Sequence, residues 1–173
     1  FTQNGSVSQS SAIPTDTVKV TTYINTTNIV NNPDIQVVVQ DGLKVVDSKL
    51  VSPNNNTTTG TITEQPTKTI IDFNNITDLN SNSQYKVETT VTASLGSNSG
   101  TPLTTSLNTT IETVVTGTVN GQVQQSSNTE VVNVNPNNTS KLIFSKYTDN
   151  LINKDSTDSW TASWVDVNND GYD

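Results

Sequence analysis

From Asp16 the chain falls into a two-residue rhythm that runs, with interruptions, to Val134. Residues 17–24 set Val18, Val20 and Ile24 on one face and Lys19, Thr21 and Tyr23 on the other, the period of a strand with one side against a core. Asn31-Asn32-Pro33-Asp34 is a cluster of turn formers. Residues 35–39 form a short apolar run fit for a buried strand, and Asp41-Gly42 is a tight turn. Residues 43–51 are extended again, up to Ser52-Pro53 and the polar loop Asn54-Asn55-Asn56. Residues 58–63, with Ile62 their only large apolar side chain, read as a weak edge strand, and 67–73 as a stronger one. Residues 85–93 place Tyr85, Val87, Val91 and Ala93 inward, and 96–102 form a loop. The sharpest local signal is Asn120-Gly121 between the extended runs 109–119 and 122–134. Both residues tolerate φ > 0, as a two-residue type I′ hairpin turn requires.

Strands at this spacing, with turn signals between them and no helical period, predict an all-β fold. The expected form is an immunoglobulin-like antiparallel β-sandwich of seven to eight strands over residues 15–134, with extended N- and C-terminal segments. Residues 1–14, rich in Ser and Gln with isolated Phe1, Val7 and Ile13, read as a leader or as a donor strand for a neighbouring subunit. Their sparse apolar alternation favours the leader. Asn135-Pro136-Asn137-Asn138 opens a linker at 135–140. Beyond it, 141–173 is an acidic segment, the start of a second module or a calcium-prone tail.

Composition first raises disorder, since only 30% of the 173 residues are hydrophobic. Charged residues, however, make up only 14%, and the apolar ones are mostly Val and Ile in alternating runs. A two-layer core needs one inward residue in two, so this composition suits a thin sandwich. Cys, Met and His are absent and every basic residue is Lys. That removes disulfides, thiolate metal sites, thiol nucleophiles and the familiar catalytic triads. Nine aromatic residues, none paired with two carboxylates, leave little for glycoside hydrolysis. The expectation is that the chain is not an enzyme. A net charge of −8 disfavours nucleic acid and anionic membranes, and no apolar run approaches a membrane span. The excess of Thr, Ser and Asn fits a hydrated extracellular surface. The chain reads as a mature or excised segment whose targeting and anchoring parts lie elsewhere.

The order of signals resembles a known family, the immunoglobulin-like repeat domain of unknown function found in tandem in bacterial and archaeal surface proteins. The residues that carry the resemblance are Asp16-Thr17-Val18-Lys19-Val20-Thr21-Thr22-Tyr23-Ile24-Asn25-Thr26-Thr27 and Ile35-Gln36-Val37-Val38-Val39-Gln40-Asp41-Gly42-Leu43. Ile76-Thr77-Asp78-Leu79-Asn80 ahead of the strand at 84–93, and the closing hairpin at 110–134, complete it. The resemblance implies a cell-surface stalk, spacer or filament subunit without catalytic residues; the expected partners are neighbouring copies or modules of the same protein, with strand donation as one route. Trp164-Val165-Asp166-Val167-Asn168-Asn169-Asp170-Gly171 is also similar to the start of the calcium-binding B modules of serine-aspartate-repeat adhesins. An adhesin that binds a host ligand or glycan is therefore the alternative, with Trp160 and Trp164 as a sugar platform or, the commoner role, as core residues of a module start.

The calcium reading has its own physics. Asp166, Asn168 and Asp170 stand at loop positions 1, 3 and 5, Gly171 at 6 and the Tyr172 carbonyl at 7, a spacing that wraps oxygens around Ca²⁺. The acidic residue of position 12 falls beyond Asp173, so Asp149, Asp155 or Asp158 must supply it. Otherwise the run is an Asn-Asp-Gly turn in a solvated tail. Lys19, Glu88 and Asn133 are the candidates for an intramolecular Lys–Asn isopeptide bond, against which the inward Val18 and Val20 set Lys19 outward. Asn25, Asn55, Asn75, Asn108 and Asn138, with Asn4, Asn56 and Asn137, stand in glycosylation sequons.

Overall fold

The computed structural model describes residues 1–94 and 105–135, and these form an all-β sandwich. Eleven strands follow in chain order: β1 Thr2–Val7, β2 Ser11–Ala12, β3 Thr17–Thr26, β4 Asn31–Gln40, β5 Leu43–Val51, β6 Thr57–Thr59, β7 Thr61–Glu64, β8 Lys68–Phe73, β9 Ser83–Ala93, β10 Leu107–Val119 and β11 Gln122–Val134. One sheet has the order β1-β3-β9-β5-β6 and the other β2-β11-β10-β4-β8-β7. Every pairing is antiparallel except the short parallel contact of β2 with β11. An opening strand divided between the two sheets, its second piece parallel to the last strand, is an immunoglobulin-like arrangement. Eight of the strands have six residues or more, and the three short ones lie at sheet edges.

The alternation read from the sequence is the burial pattern of the structure. Val18, Val20 and Ile24 on β3, and Tyr85, Val87, Val91 and Ala93 on β9, are buried between the sheets. Of the 23 buried apolar residues among those described, sixteen are Val or Ile, side chains whose branched Cβ fits a pleated surface. Threonine shares this layer as an isostere of valine, and its hydroxyl then needs a partner. Thr22 on β3 meets Thr113 on β10 across the sheets at 3.1 Å, and Ser48 meets Thr89 at 2.8 Å within one sheet. The hairpin turn is as expected, with φ of 49° at Asn120 and 80° at Gly121.

Two features depart from the simple alternation. A bulge at Val46 shifts the register of β5 against β9, so the inward set changes from Leu43 and Val45 to Ser48 and Leu50, and Val46 is left exposed. The turn formers at 31–34 open a strand rather than make a turn. Asn32 has φ of 47°, and the β4–β10 register shifts there, with Thr118 opposite Asn31 and Thr116 opposite Asp34. The extra residue lets β4 begin immediately after the chain has crossed from β3 in the other sheet.

The segment 1–14 is not a free leader. β1 pairs with β3 over six residues, from Thr2 opposite Asn25 to Val7 opposite Val20. After Ser8–Ser10 the chain crosses to the second sheet, where β2 lies beside Asn133 and Val134. The opposite flank repeats the device. β6 pairs with β5, β7 pairs with β8, and Gly60 between them carries the strand from one sheet to the other. A Cβ at Gly60 would overlap Ile71 and stand 3.2–3.3 Å from the Phe73 ring, so only glycine permits this crossing. Each flank of the sandwich is thus spanned by a strand that changes sheets.

One end of the core is closed by the segment 76–80. Leu79 is fully buried, and its backbone exchanges hydrogen bonds of 2.9 and 3.0 Å with Val30. Asp78 accepts a hydrogen bond from the Asn32 amide, which holds the bulge, and the Tyr85 hydroxyl accepts one from the Asn80 amide. Truncation of this plug removes buried surface and opens a cavity at once. Leu79→Ala is expected to cost about 2–5 kcal/mol, whereas Ile62→Ala on the exposed strand β7 should stay within about 0.5 kcal/mol. Urea denaturation checks both, as a fall in midpoint at unchanged slope for the first and none for the second.

Candidate functional site

The structure places the sequence-derived candidates on separate surfaces. Lys19 is exposed on the outer face of the first sheet, opposite Thr90. Glu88 lies on the same face, but Asn133 belongs to the other sheet, where its amide donates to the Asn108 side chain. The isopeptide trio is therefore not brought together. The cause is the strand period itself, which turns Lys19 outward wherever Val18 and Val20 face the core. Glu88 is committed elsewhere, with Lys49 at 3.1 Å across the strand pair and Lys86 at 2.7 Å along its own strand.

Among the sequon asparagines, Asn55, Asn75 and Asn108 are exposed, the first two in turns with φ of 62° and 58°. Asn25 differs. Its amide donates to Asn4 and its carbonyl accepts from Gln84, so both ends of the side chain are held on the sheet surface. Asn138, and the calcium-loop residues Asp166, Asn168, Asp170 and Tyr172, lie outside the described residues, as do Trp160 and Trp164. Among the described residues, no three His, Cys, Asp or Glu side chains converge as a metal site. None of these residues forms a helix long and apolar enough to cross a membrane.

The feature that sequence reasoning missed is the flank between β1 and β11. There the core layer turns polar. On β11 the inward positions run Ser126, Asn128 and Glu130 before Val132 and Val134 restore the apolar pattern. Asn128 Nδ2 lies 3.1 Å from Glu130 Oε1 and 3.5 Å from the Thr22 hydroxyl. β1 covers this strip. Gln3 donates to the Ser126 carbonyl at 2.9 Å, and of residues 1–7 only Phe1 and Val7 pack on the apolar core. The Gln3 Oε1 atom is buried without a partner, a cost of about 1–3 kcal/mol in such a setting. β1 is therefore docked by backbone pairing with β3 more than by its side chains. The signal in the sequence is faint, because Gln3 and Gly5 occupy the inward positions where an apolar pair would have announced a strand.

The charged group on the first sheet sets a modest pH dependence. The hydrogen bond from Lys86, with a second from Lys49, holds the Glu88 carboxyl below the usual carboxylate range. The same Glu88 contact holds the Lys86 ammonium above its ordinary value. A lowered carboxyl contributes stability above its unfolded pKa and loses it as pH falls through the folded one; a raised ammonium contributes below its unfolded pKa and loses it as pH rises through the folded one. The pair thus stabilises across neutral pH and fades at both extremes. Because these groups are solvated, the effect is small. Melting curves of Glu88→Gln should run slightly below those of the parent at neutral pH and converge with them in strong acid.

No family model matches the chain, and no curated protein matches it in sequence. Among solved structures, the chain is similar to BcpA, described as the major pilin subunit of Bacillus cereus, with 8% identity, a TM-score of 0.53, and coverage of 78% of this chain and 40% of that one. It is also similar to AvmM, described as catalysing macrocyclization in alchivemycin A biosynthesis, with 8% identity, a TM-score of 0.42, and coverage of 77% and 88%. AggA, the major subunit of aggregative adherence fimbriae type I from Escherichia coli, gives 8% identity, a TM-score of 0.30, and coverage of 78% and 95%. The last two scores carry no argument. At 8% identity the likeness to BcpA concerns the β-sandwich alone, and this chain spans two fifths of that pilin's length.

Proposed function

We propose that this chain is a structural module of an extracellular surface protein or filament, acting as a stalk, spacer or associating subunit without a catalytic step. The observation that carries this reading is the division of the molecule into a closed, thin core and a polar exterior. Among the described residues, no three His, Cys, Asp or Glu side chains on that exterior converge as a metal site. The pilin-like sandwich of BcpA supports the same reading. The partners are neighbouring copies or modules. Donation of the segment 1–14 to a neighbour is weakened as a route, because β1 already completes its own sheet.

Electron microscopy with antibodies to the sandwich tests the reading on the intact source cell. Label along surface appendages or the outer envelope is expected, and label confined to the cell interior would overturn it. The adhesin alternative and the calcium loop at Asp166, Asn168, Asp170 and Tyr172 rest on sequence pattern alone. Calcium should raise the melting temperature and protect the chain after Asp149 from protease. Identical curves and digests with chelator would remove the ion from the account.

A further inference from the structure

The sheet edges of this sandwich are not equally guarded. β2, β6 and β7 have two, three and four residues, Gly60 breaks the last two apart, and the fourth edge, β1, has six residues packed beside β11. β11 has thirteen residues in unbroken register with β10. On its far side, among the described strands, only β2 pairs with it, and only at Asn133 and Val134.

The direction of the backbone groups follows from the hairpin. A two-residue turn makes Val119 and Gln122 a hydrogen-bonded pair, and bonded pairs then recur at every second residue. Even-numbered residues of β11 therefore spend their amides and carbonyls on β10, and odd-numbered ones point away. The amides of Asn133 and Asn135 do so, donating to Ser10 and Ala12 at 2.8 and 2.9 Å. Val123, Gln125, Ser127, Thr129 and Val131 thus aim their backbone groups at an edge with which no described strand pairs, β1 packing beside it from the other sheet. Natural edges are blunted by lysine, proline, bulges or inward charges. From Val123 to Val131 the strand has no lysine, no proline and no bulge, and its single charge, Glu130, points inward, where Asn128 donates to it at 3.1 Å. At its ends stand two of the exposed apolar residues, Val123 at 76% and Val131 at 48%.

We propose that this edge is a homotypic docking surface, pairing antiparallel with β11 of a second copy about a two-fold axis at Ser127. The two valines lie equally far from Ser127, so with Ser127 opposite itself each Val123 faces Val131 of the second copy, and each Gln125 faces Thr129. This register joins odd residues to odd residues, the ones with free backbone groups, whereas a slip of one residue would set free groups against committed ones. The paired stretch fills the gap between the Asn120-Gly121 turn and β2, with about ten backbone hydrogen bonds. An isologous contact of this kind closes on itself, giving pairs rather than fibres. The partner identified here rests on the reading of the chain as an associating surface module, and it joins modules that run in opposite directions.

The absence of cysteine makes the test direct. Across a bonded antiparallel pair the Cα atoms stand about 5.5 Å apart, within disulfide reach. In the full chain, Ser127→Cys should form linked dimers under mild oxidation. Val123→Cys and Val131→Cys should link mainly when mixed, and exposed Gln40→Cys should not. In sedimentation, Ser127→Lys, which sets like charges face to face, should weaken self-association by up to about fivefold with an unchanged monomer melt. Ser127→Pro should do the same, since that amide is not needed by β10. A parent chain monomeric to millimolar concentration, dimers indifferent to Ser127→Lys and Ser127→Pro, or equal linkage at Gln40 would overturn the pairing. None of these results bears on where antibodies label the cell, so failure here and failure of the surface-module reading are separable.

Discussion

The structure depends on a single layer of β-branched side chains held between two sheets. With 30% hydrophobic residues, the chain can furnish one inward residue in two and little more. Such a layer is stable only when water is kept from its margins, because each inward side chain has neighbours on one facing sheet alone. The margins therefore decide the rest of the architecture. Two flanks are spanned by strands that change sheets, and one end is plugged by Leu79 against Val30. Gly60, the Asn32 bulge and the Asp78 contact exist to make those closures fit.

The two flanks are closed by different chemistry. On the β6–β7 side the crossing glycine lets Ile71 and Phe73 approach the strand, so the seal is apolar. On the β1 side the seal is a polar strip of Gln3, Asn128, Glu130 and Thr22, and one of its acceptors is left without a partner. That flank also carries the long edge of β11, with which only β2 pairs among the described residues. A surface module that associates with its own kind would place its contact at such a margin, where the core is least apolar and backbone groups stand free, leaving the main layer undisturbed.

Most of the fold was legible because the period of two is carried by Val, Ile and Tyr wherever the strands are central. Strands β3 and β9 and the Asn120-Gly121 hairpin announce themselves in this way. β1 does not, since its inward residues are polar and its strand character comes from the partner edge of β3. The turn chemistry at 31–34 was read as a turn and is spent on a bulge, a distinction that depends on which sheet the next strand joins. The same is true of residues 58–63, an edge strand as expected, but one that serves both sheets. The isopeptide trio failed on strand parity at Lys19, which the alternation of Val18 and Val20 had already implied. The calcium loop lies outside the described residues. The bare edge was invisible in sequence, because which strand ends a sheet is a property of pairing and not of composition.

Amide hydrogen exchange, read residue by residue across concentration, tests most directly whether β11 is an open edge that a second copy closes. Amides of Gln124, Ser126, Asn128 and Glu130 should exchange slowly at every concentration. Those of Val123, Gln125, Ser127, Thr129 and Val131 should exchange fast in dilute solution and slowly in concentrated solution. Slow exchange of these five amides in the dilute monomer would mean that the edge is already covered within the chain. Fast exchange at high concentration would mean that no second copy covers it. Either result would contradict the account.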